Sequence, residues 1–441
     1  MNLRWLMALA FAGSWGVVLS GHAQTEFQTG PLPAQARQLV PSAAEASRAE
    51  PLRLQEAVAR SLSEHPSLAA EAAQLLAVQA RAEREALAPP LVVGGSFENA
   101  VGTGNLSGVR SAETTLRLSR VIELGGKRAA RQALGEAQVA QQRNAAQATR
   151  IEVAGRTTTR FIEVLADQQR LAFAHERVTQ AERTRREVAG WVAAARNPES
   201  DLRAAEIALA QAELEREHAE HELAAARVSL AASWGSFTPD FDAVAGELDA
   251  LPAVEDFETL AARLTMTASQ RDSLLQAQAI SARRQVAVAG RSPDIDLSLG
   301  VRRLEAFDDQ GLVMSVSVPL GSRPRANLAI AEADAELAAV IARRDAQRSE
   351  SHQDLFERYQ ELLHARTEYV AVRDTMLPKA EQAYAFTRRG FEAGNFSFLM
   401  LAQAQRTLFE LRERSVEAAA RYHTRLVEIE RLTVVAPETN P

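Results

Sequence analysis

The chain contains no cysteine in 441 residues. That excludes structural disulfides and thiolate metal sites, and it excludes a lipid anchor on an N-terminal cysteine. Aromatic residues make up only 5%. Large globular cores draw on aromatic and β-branched side chains, so one wide core is not expected. Long apolar runs are missing beyond the N-terminus, which excludes helical membrane spans elsewhere in the chain. Strong charge of one sign is missing as well. The formal net charge is −7, and a mildly acidic chain is unsuited to nucleic acid.

What is present starts with that N-terminal run. Arg4 leads an apolar stretch from Trp5 to Leu19, followed by Gly21-His22-Ala23. A basic start, a short apolar core and a small-residue cleavage site describe a secretory signal peptide over residues 1–23. The run falls short of the ~20 residues of a comfortable span, which favours export over a retained anchor. Residues 24–51 are rich in Pro, Ala and Gln without apolar period, and read as an extended periplasmic segment.

The rest falls into two halves of one plan, 52–250 and 251–434, with a short tail at 435–441. In the first, a helix over Leu52–Leu87 stops at Pro89-Pro90, strands follow at 91–100 and 112–123, and helix is expected over Gly126–Arg196 and Ser200–Trp234. In the second, a helix over Phe257–Gly290 precedes strands at 293–303 and 311–319. Helix is then expected over Arg325–Ala393, with Pro378 as a kink or helix start, and again over Phe398–Val434. Pro90 and Pro293 each precede a first strand. Leu124-Gly125-Gly126-Lys127-Arg128 and Leu320-Gly321-Ser322-Arg323 each follow a second. A unit of helix, hairpin, helix and helix occurring twice is an internal duplication. On the long helix, Ile151, Ile162 and Leu165 share a face, and Leu171 and Val178 stand one heptad apart.

The strands alternate. Ile295, Leu297, Leu299 and Val301 interleave with Asp294, Asp296, Ser298 and Gly300, while Leu312, Met314, Val316 and Val318 interleave with Val313, Ser315 and Ser317. Leu116 and Leu118 lie against Thr115, Arg117 and Ser119, and Leu91, Val93 and Phe97 against Val92, Ser96 and Glu98. Each strand therefore has an apolar and a polar side. A soluble sheet would alternate the same way over a core, and the chain would then be a periplasmic coiled-coil adaptor or scaffold. Two features favour lipid instead: strands of about ten residues suit a tilted bilayer span, and the neighbouring helices offer no apolar face broad enough to cover the sheet. A sheet in hydrocarbon must close, and about eight strands is the working minimum. Four per chain cannot close, so copies must share a barrel, two copies giving a filled one and three leaving room for a bore.

No nucleophile elbow, phosphate loop or dinucleotide fingerprint occurs in a fitting context, so neither an enzyme nor a cofactor is expected. Gly102-Thr103-Gly104 sits in a hairpin turn, and Gly125, Gly126 and Gly321 sit at strand-to-helix turns, where glycine serves backbone geometry. His218 and His221, with Glu217 and Glu222 beside them, are the best metal candidates, although such a spacing also describes a solvated helix face. Asp294 and Asp296 would favour cations along a lumen or simply keep its wall soluble.

The duplicated order, over roughly residues 50–434, resembles the TolC-like outer-membrane efflux proteins. Phe391-Glu392-Ala393-Gly394, then Leu399 and Ala404-Gln405-Arg406, resemble that family's second tip turn and returning helix. Met400 stands where an Asp is common, and Asp201 takes the equivalent place in the first half. The segment Ile122 to Arg131 and the stretch Pro293 to Arg303 are similar to the cobalt–zinc–cadmium branch of metal-efflux outer channels. The resemblance implies a mainly α fold with a membrane β-barrel. A homotrimer would share twelve strands in the outer membrane of a Gram-negative cell and stand a helical coiled-coil tunnel in the periplasm. It further implies a periplasmic adaptor and an inner-membrane resistance-nodulation-division pump as partners. The chain would be a passive exit duct, with divalent heavy-metal cations as the cargo; drug efflux and type I protein secretion are the alternatives. Leu116, Leu118, Ile295, Leu297, Leu299, Val301, Met314 and Val316 would then face lipid, and Asp294, Asp296, Ser298, Ser315 and Ser317 the lumen. Arg196, Asn197, Pro198, Asp201, Gly394 and Asn395 would form the gated tip that meets the adaptor.

Overall fold

A computed structural model describes residues 50–435, so the signal peptide, nearly all of the segment over 24–51 and most of the C-terminal tail lie outside the described residues. The first half runs β1 (Leu52–Arg53), α1 (Leu54–Glu64), α2 (Pro66–Ala86), β2 (Leu91–Glu98), β3 (Glu113–Ile122), α3 (Lys127–Ala193) and α4 (Glu199–Ala231). After β4 (Val244–Ala245) the second half runs α5 (Phe257–Arg263), α6 (Ala268–Ala289), β5 (Ile295–Leu304), β6 (Asp309–Ser317), α7 (Ser322–Ala371), α8 (Leu377–Glu392) and α9 (Phe398–Thr433). At 67 residues, α3 is a rod of roughly 100 Å. Among the described residues, no helix is long and apolar enough to cross a membrane.

Three expected helices are each two. The stretch 52–87 breaks at His65, which is extended because Pro66 disfavours helix in the residue before it. The His65 ring then caps α2 by accepting from the Ser67 N–H at 3.1 Å. The stretch 257–290 breaks where Thr267 turns extended and caps α6. The stretch 325–393 begins earlier, at Ser322, and carries a π-turn over Val372–Met376 just ahead of Pro378. Pro378 has no N–H to donate and its ring crowds the carbonyl four residues back, so the helix widens there by one residue.

The long helices lie side by side in the order α4, α3, α9 and then α7–α8, while α2 and α6 flank the sheet-side part of α3. α4 meets α3 through Ala205, Ala212, Ala219 and Ala226, all buried and one heptad apart, with Leu223 and Leu230 extending the seam. Methyl groups at heptad spacing bring two backbones close while burying little area per residue. The widest core lies midway along the rods. There Phe241, Val244 and Leu248 of the connection between the halves pack on Phe161, Leu165, Trp234, Tyr369 and Val416, and β1 pairs in parallel with β4. A second cluster joins Leu260 and Leu264 to Leu355, Leu362, Tyr422 and Ile429.

Candidate membrane sheet and helical tips

The two hairpins form a single antiparallel sheet in the order β2-β3-β5-β6, leaving β2 and β6 as its edges. Its register aligns Val93, Leu118, Leu299 and Met314 in one row across all four strands. Neighbouring rows hold Leu116, Val301 and Leu312, and Leu91, Arg120, Leu297 and Val316. These side chains share a face because strand residues alternate. In the single chain that face is bare: Val93 is 71% exposed, Leu118 48%, Leu299 51% and Met314 68%. No helix covers it. A contiguous apolar face of this kind is far more than the scattered exposed leucines of a soluble surface.

The opposite face is polar and knitted together. The Ser298 and Ser315 hydroxyls meet at 2.8 Å. Arg302 donates to the Glu113 carboxylate at 2.9 Å and to the Thr115 hydroxyl at 3.1 Å. Gly300 is required there, since a Cβ would come within 2.5 Å of the Leu116 carbonyl oxygen, and Arg117 lies across the gap. Asp296 and Ser317 pair across β5 and β6 and are exposed. Asp294 precedes β5, and its carboxylate accepts from Lys127 at 2.6 Å and from the Leu124 N–H at 3.4 Å. Ile295, the first residue of β5, lies on the apolar side opposite Ile122.

The chain leaves the sheet through paired turns. Gly126 (φ 72°) and Gly321 (φ 87°) precede α3 and α7 in the left-handed region that glycine adopts without strain, and Gly125 shares that conformation. Arg131 clamps the first turn by donating to both oxygens of Glu123. The hydrogen bonds from Arg131 hold the Glu123 carboxyl below its usual range.

At the far end the two tip turns share their main backbone hydrogen bonds, and the second adds one from the Phe396 N–H to the Gly390 carbonyl at 3.2 Å. The Arg196 N–H donates to the Trp191 carbonyl at 2.8 Å, as the Asn395 N–H does to the Gly390 carbonyl at 2.8 Å. Ala195 (φ 53°) and Gly394 (φ 76°) take the same left-handed position. Bulk is exchanged between them. The first turn has Trp191 and Asn197 where the second has Gly390 and Phe396, and a Cβ on Gly390 would collide with the Phe396 ring. Asn197 donates to Asp201 at 2.9 Å, while Ser397 caps the helix start ahead of Met400. Arg196, Pro198, Gly394 and Asn395 are exposed. Behind them Phe391 is fully buried between Trp191, 4.5 Å away, and Phe398, with Val188, Ala205 and Leu401 around it. Arg388 donates to both oxygens of Glu187, at 2.7 and 2.8 Å, joining the α8 tip to α3.

His218 and His221 are not brought together on a ligand. Each lies beside a glutamate four residues away on the exposed face of α4, His218 with Glu222 at 3.2 Å and His221 with Glu217 at 3.8 Å. Among the described residues no group of three or more potential ligands converges. The alanine seam of α4 and the Arg388–Glu187 bridge were not anticipated from the sequence. The seam is legible as a heptad of alanines, whereas the bridge spans 201 residues and has no local signature.

A bare apolar sheet carried on long helical hairpins defines a class of proteins that set a sheet in a membrane and stand a helical rod beside it. Comparison with known proteins narrows this. The chain is 30% identical over 330 residues to the cobalt-zinc-cadmium resistance protein CzcC of Cupriavidus metallidurans, covering 72% of this chain and 76% of that one. Its fold matches a membrane protein from Pseudomonas aeruginosa with a TM-score of 0.74 at 17% identity, over 86% of this chain and 92% of that one. It also matches CusC, described as forming a transmembrane channel, with a TM-score of 0.72 at 15% identity over 86% and 91%. Residues 57–236 and 261–433 match the outer membrane efflux protein family, and the chain belongs to that family. It is an outer-membrane protein of efflux.

Proposed function

We propose that three copies of this chain close their sheets into one twelve-stranded barrel and align their helices as a tunnel across the periplasm, the passive exit duct of a tripartite efflux assembly. The observation that carries the reading is the sheet itself, with one bare apolar face and two unpaired edges. In hydrocarbon each backbone N–H and C=O needs a partner, and the edges of β2 and β6 find theirs only in further copies. Leu116, Leu118, Ile295, Leu297, Leu299, Val301, Met314 and Val316 then face lipid. Asp296, Ser298, Ser315 and Ser317 line the bore, and Asp294 stands at its periplasmic mouth beside Lys127.

The tips, with Arg196, Asn197, Pro198, Asp201, Gly394 and Asn395, meet a periplasmic adaptor and form the gated end. An inner-membrane resistance-nodulation-division pump supplies the energy. Divalent heavy-metal cations are the cargo, a reading supported by the 30% identity to a relative named for cobalt, zinc and cadmium resistance. The test is to delete the chain and compare tolerance of zinc, cobalt and cadmium with tolerance of antibiotics. Loss of metal tolerance alone is expected. Unchanged metal tolerance removes the metal reading, and lost drug tolerance or protein secretion would replace it.

A further inference from the structure

The bare apolar face does not end with the strands. Toward the helices Ile122 stays on it, and Leu124, Val318, Leu320 and Leu328 of α7 are exposed beyond the strands. At this level the sequence turns basic. Arg120 stands on the apolar face itself, in the row of Leu91, Leu297 and Val316, and is exposed. Arg128, Arg323 and Arg325 follow at the starts of α3 and α7, also exposed. Among the described residues, Arg120, Arg323 and Arg325 have no carboxylate partner, and Arg128 gives one N–H to the Ala86 carbonyl. The two junctions lie side by side, since Lys127 and Arg325 line one open groove of about 410 Å³ with Asp294, Pro319 and Leu320.

These arginines do not serve the helices that carry them. The first turns of α3 and α7 hold basic residues and no acidic one, at the positive end of the helix dipole. Basic side chains there cost helix stability. Their position is instead that of a cationic collar at one rim of an apolar band, where long arginine stems lie along the apolar surface and the guanidinium reaches the polar boundary.

We infer that this collar, Arg120, Arg128, Arg323 and Arg325, binds the phosphate-bearing headgroups of anionic phospholipids in the periplasmic leaflet. The acyl chains of the same lipids lie on the strand face above. The inference rests on the membrane reading of the sheet and adds to it a headgroup preference. Each basic side chain near an anionic leaflet favours it by about fivefold, and the effect fades over a screening length of about 8 Å at physiological salt.

The test uses the full-length mature chain reconstituted in phosphatidylcholine vesicles that contain a minor share of phosphatidylglycerol. The chain is re-extracted in detergent, and the headgroups it retains are measured by mass spectrometry. Retained phosphatidylglycerol should be enriched several-fold over the bulk, and the enrichment should fall as salt rises. The variant R120Q/R128Q/R323Q/R325Q should insert and assemble as before while retaining lipid at the bulk composition. Retained lipid at bulk composition in the wild-type chain, with insertion intact, overturns the inference and leaves the channel reading standing. So does loss of assembly in the variant with no wild-type enrichment, which would assign Arg323 and Arg325 to carboxylates of an adjoining copy. A chain that enters no bilayer at all removes the membrane reading itself. Should the fourfold variant fail to fold, the salt dependence of the wild type and the single variant R120Q decide the matter.

Discussion

The two ends of the same helices are finished in opposite ways. At the sheet end the apolar side chains point outward, the strand edges are open, and among the described residues Arg120, Arg323 and Arg325 have no carboxylate partner. At the tip end the apolar side chains point inward around Phe391, the turn carbonyls are capped within the chain, and Arg388 is matched by Glu187. One end is complete as a single chain and the other is not. A surface left unfinished in the monomer has to be completed by lipid and by other copies, whereas an end that satisfies itself can hold its shape without a partner.

The contrast can be broken at either end. Phe391→Ala should have the largest effect, destabilising the tip by about 3–5 kcal/mol through a cavity beside Trp191, seen as rapid proteolysis at 190–200 and 390–400 while the sheet still assembles. Leu299→Arg should do the reverse. Placed mid-row on the bare face, it should cost about 2–4 kcal/mol per copy in a bilayer and abolish heat-resistant oligomers in the membrane fraction, with the tips unaffected. If the face were instead a soluble core, the chain would still fold and fractionate as a soluble species.

Smaller changes sharpen the picture between the ends. Ala212→Leu should force α3 and α4 apart at the alanine seam and cost about 1–3 kcal/mol, measured as a lower unfolding midpoint in detergent. Ala195→Gly should stabilise the first tip turn by up to about 1 kcal/mol, because a residue with φ 53° stands where the second turn already has glycine. The last effect is a slope with pH. Burial raises the Asp167 carboxyl above its ordinary value of 3.8, despite Arg170 at 2.7 Å. With the folded value raised, stability from this group is full below that ordinary value and falls as pH rises through the folded one. Asp167→Asn should therefore gain stability over wild type at neutral pH, an advantage that vanishes in acid.

Much of this was legible in local pattern. Two-residue alternation located all four strands to within two residues, and the pairing of Leu118 with Leu299 keeps the expected faces. Helical composition and Pro90, Pro198 and Pro293 located the long rods and their interruptions. Pro66 leaves no mark in the helical pattern, because the Ala, Leu and Glu residues on both sides of it favour helix. The parallel pairing of Leu52 with Val244 and the burial of Phe241 and Leu248 were not legible, since they depend on where a connection folds back across the rods. The same holds for the Arg388–Glu187 bridge. Periodicity reports which face a residue takes, and says nothing of which distant residue it meets.

The most direct measurement is the mass of the detergent-solubilised particle extracted from the membrane fraction, corrected for bound detergent. A particle of three chains that resists heat and aggregates when detergent is removed is the expected result. A single chain that stays folded and soluble without detergent, with Leu118, Leu299 and Met314 shielded from water, would contradict it.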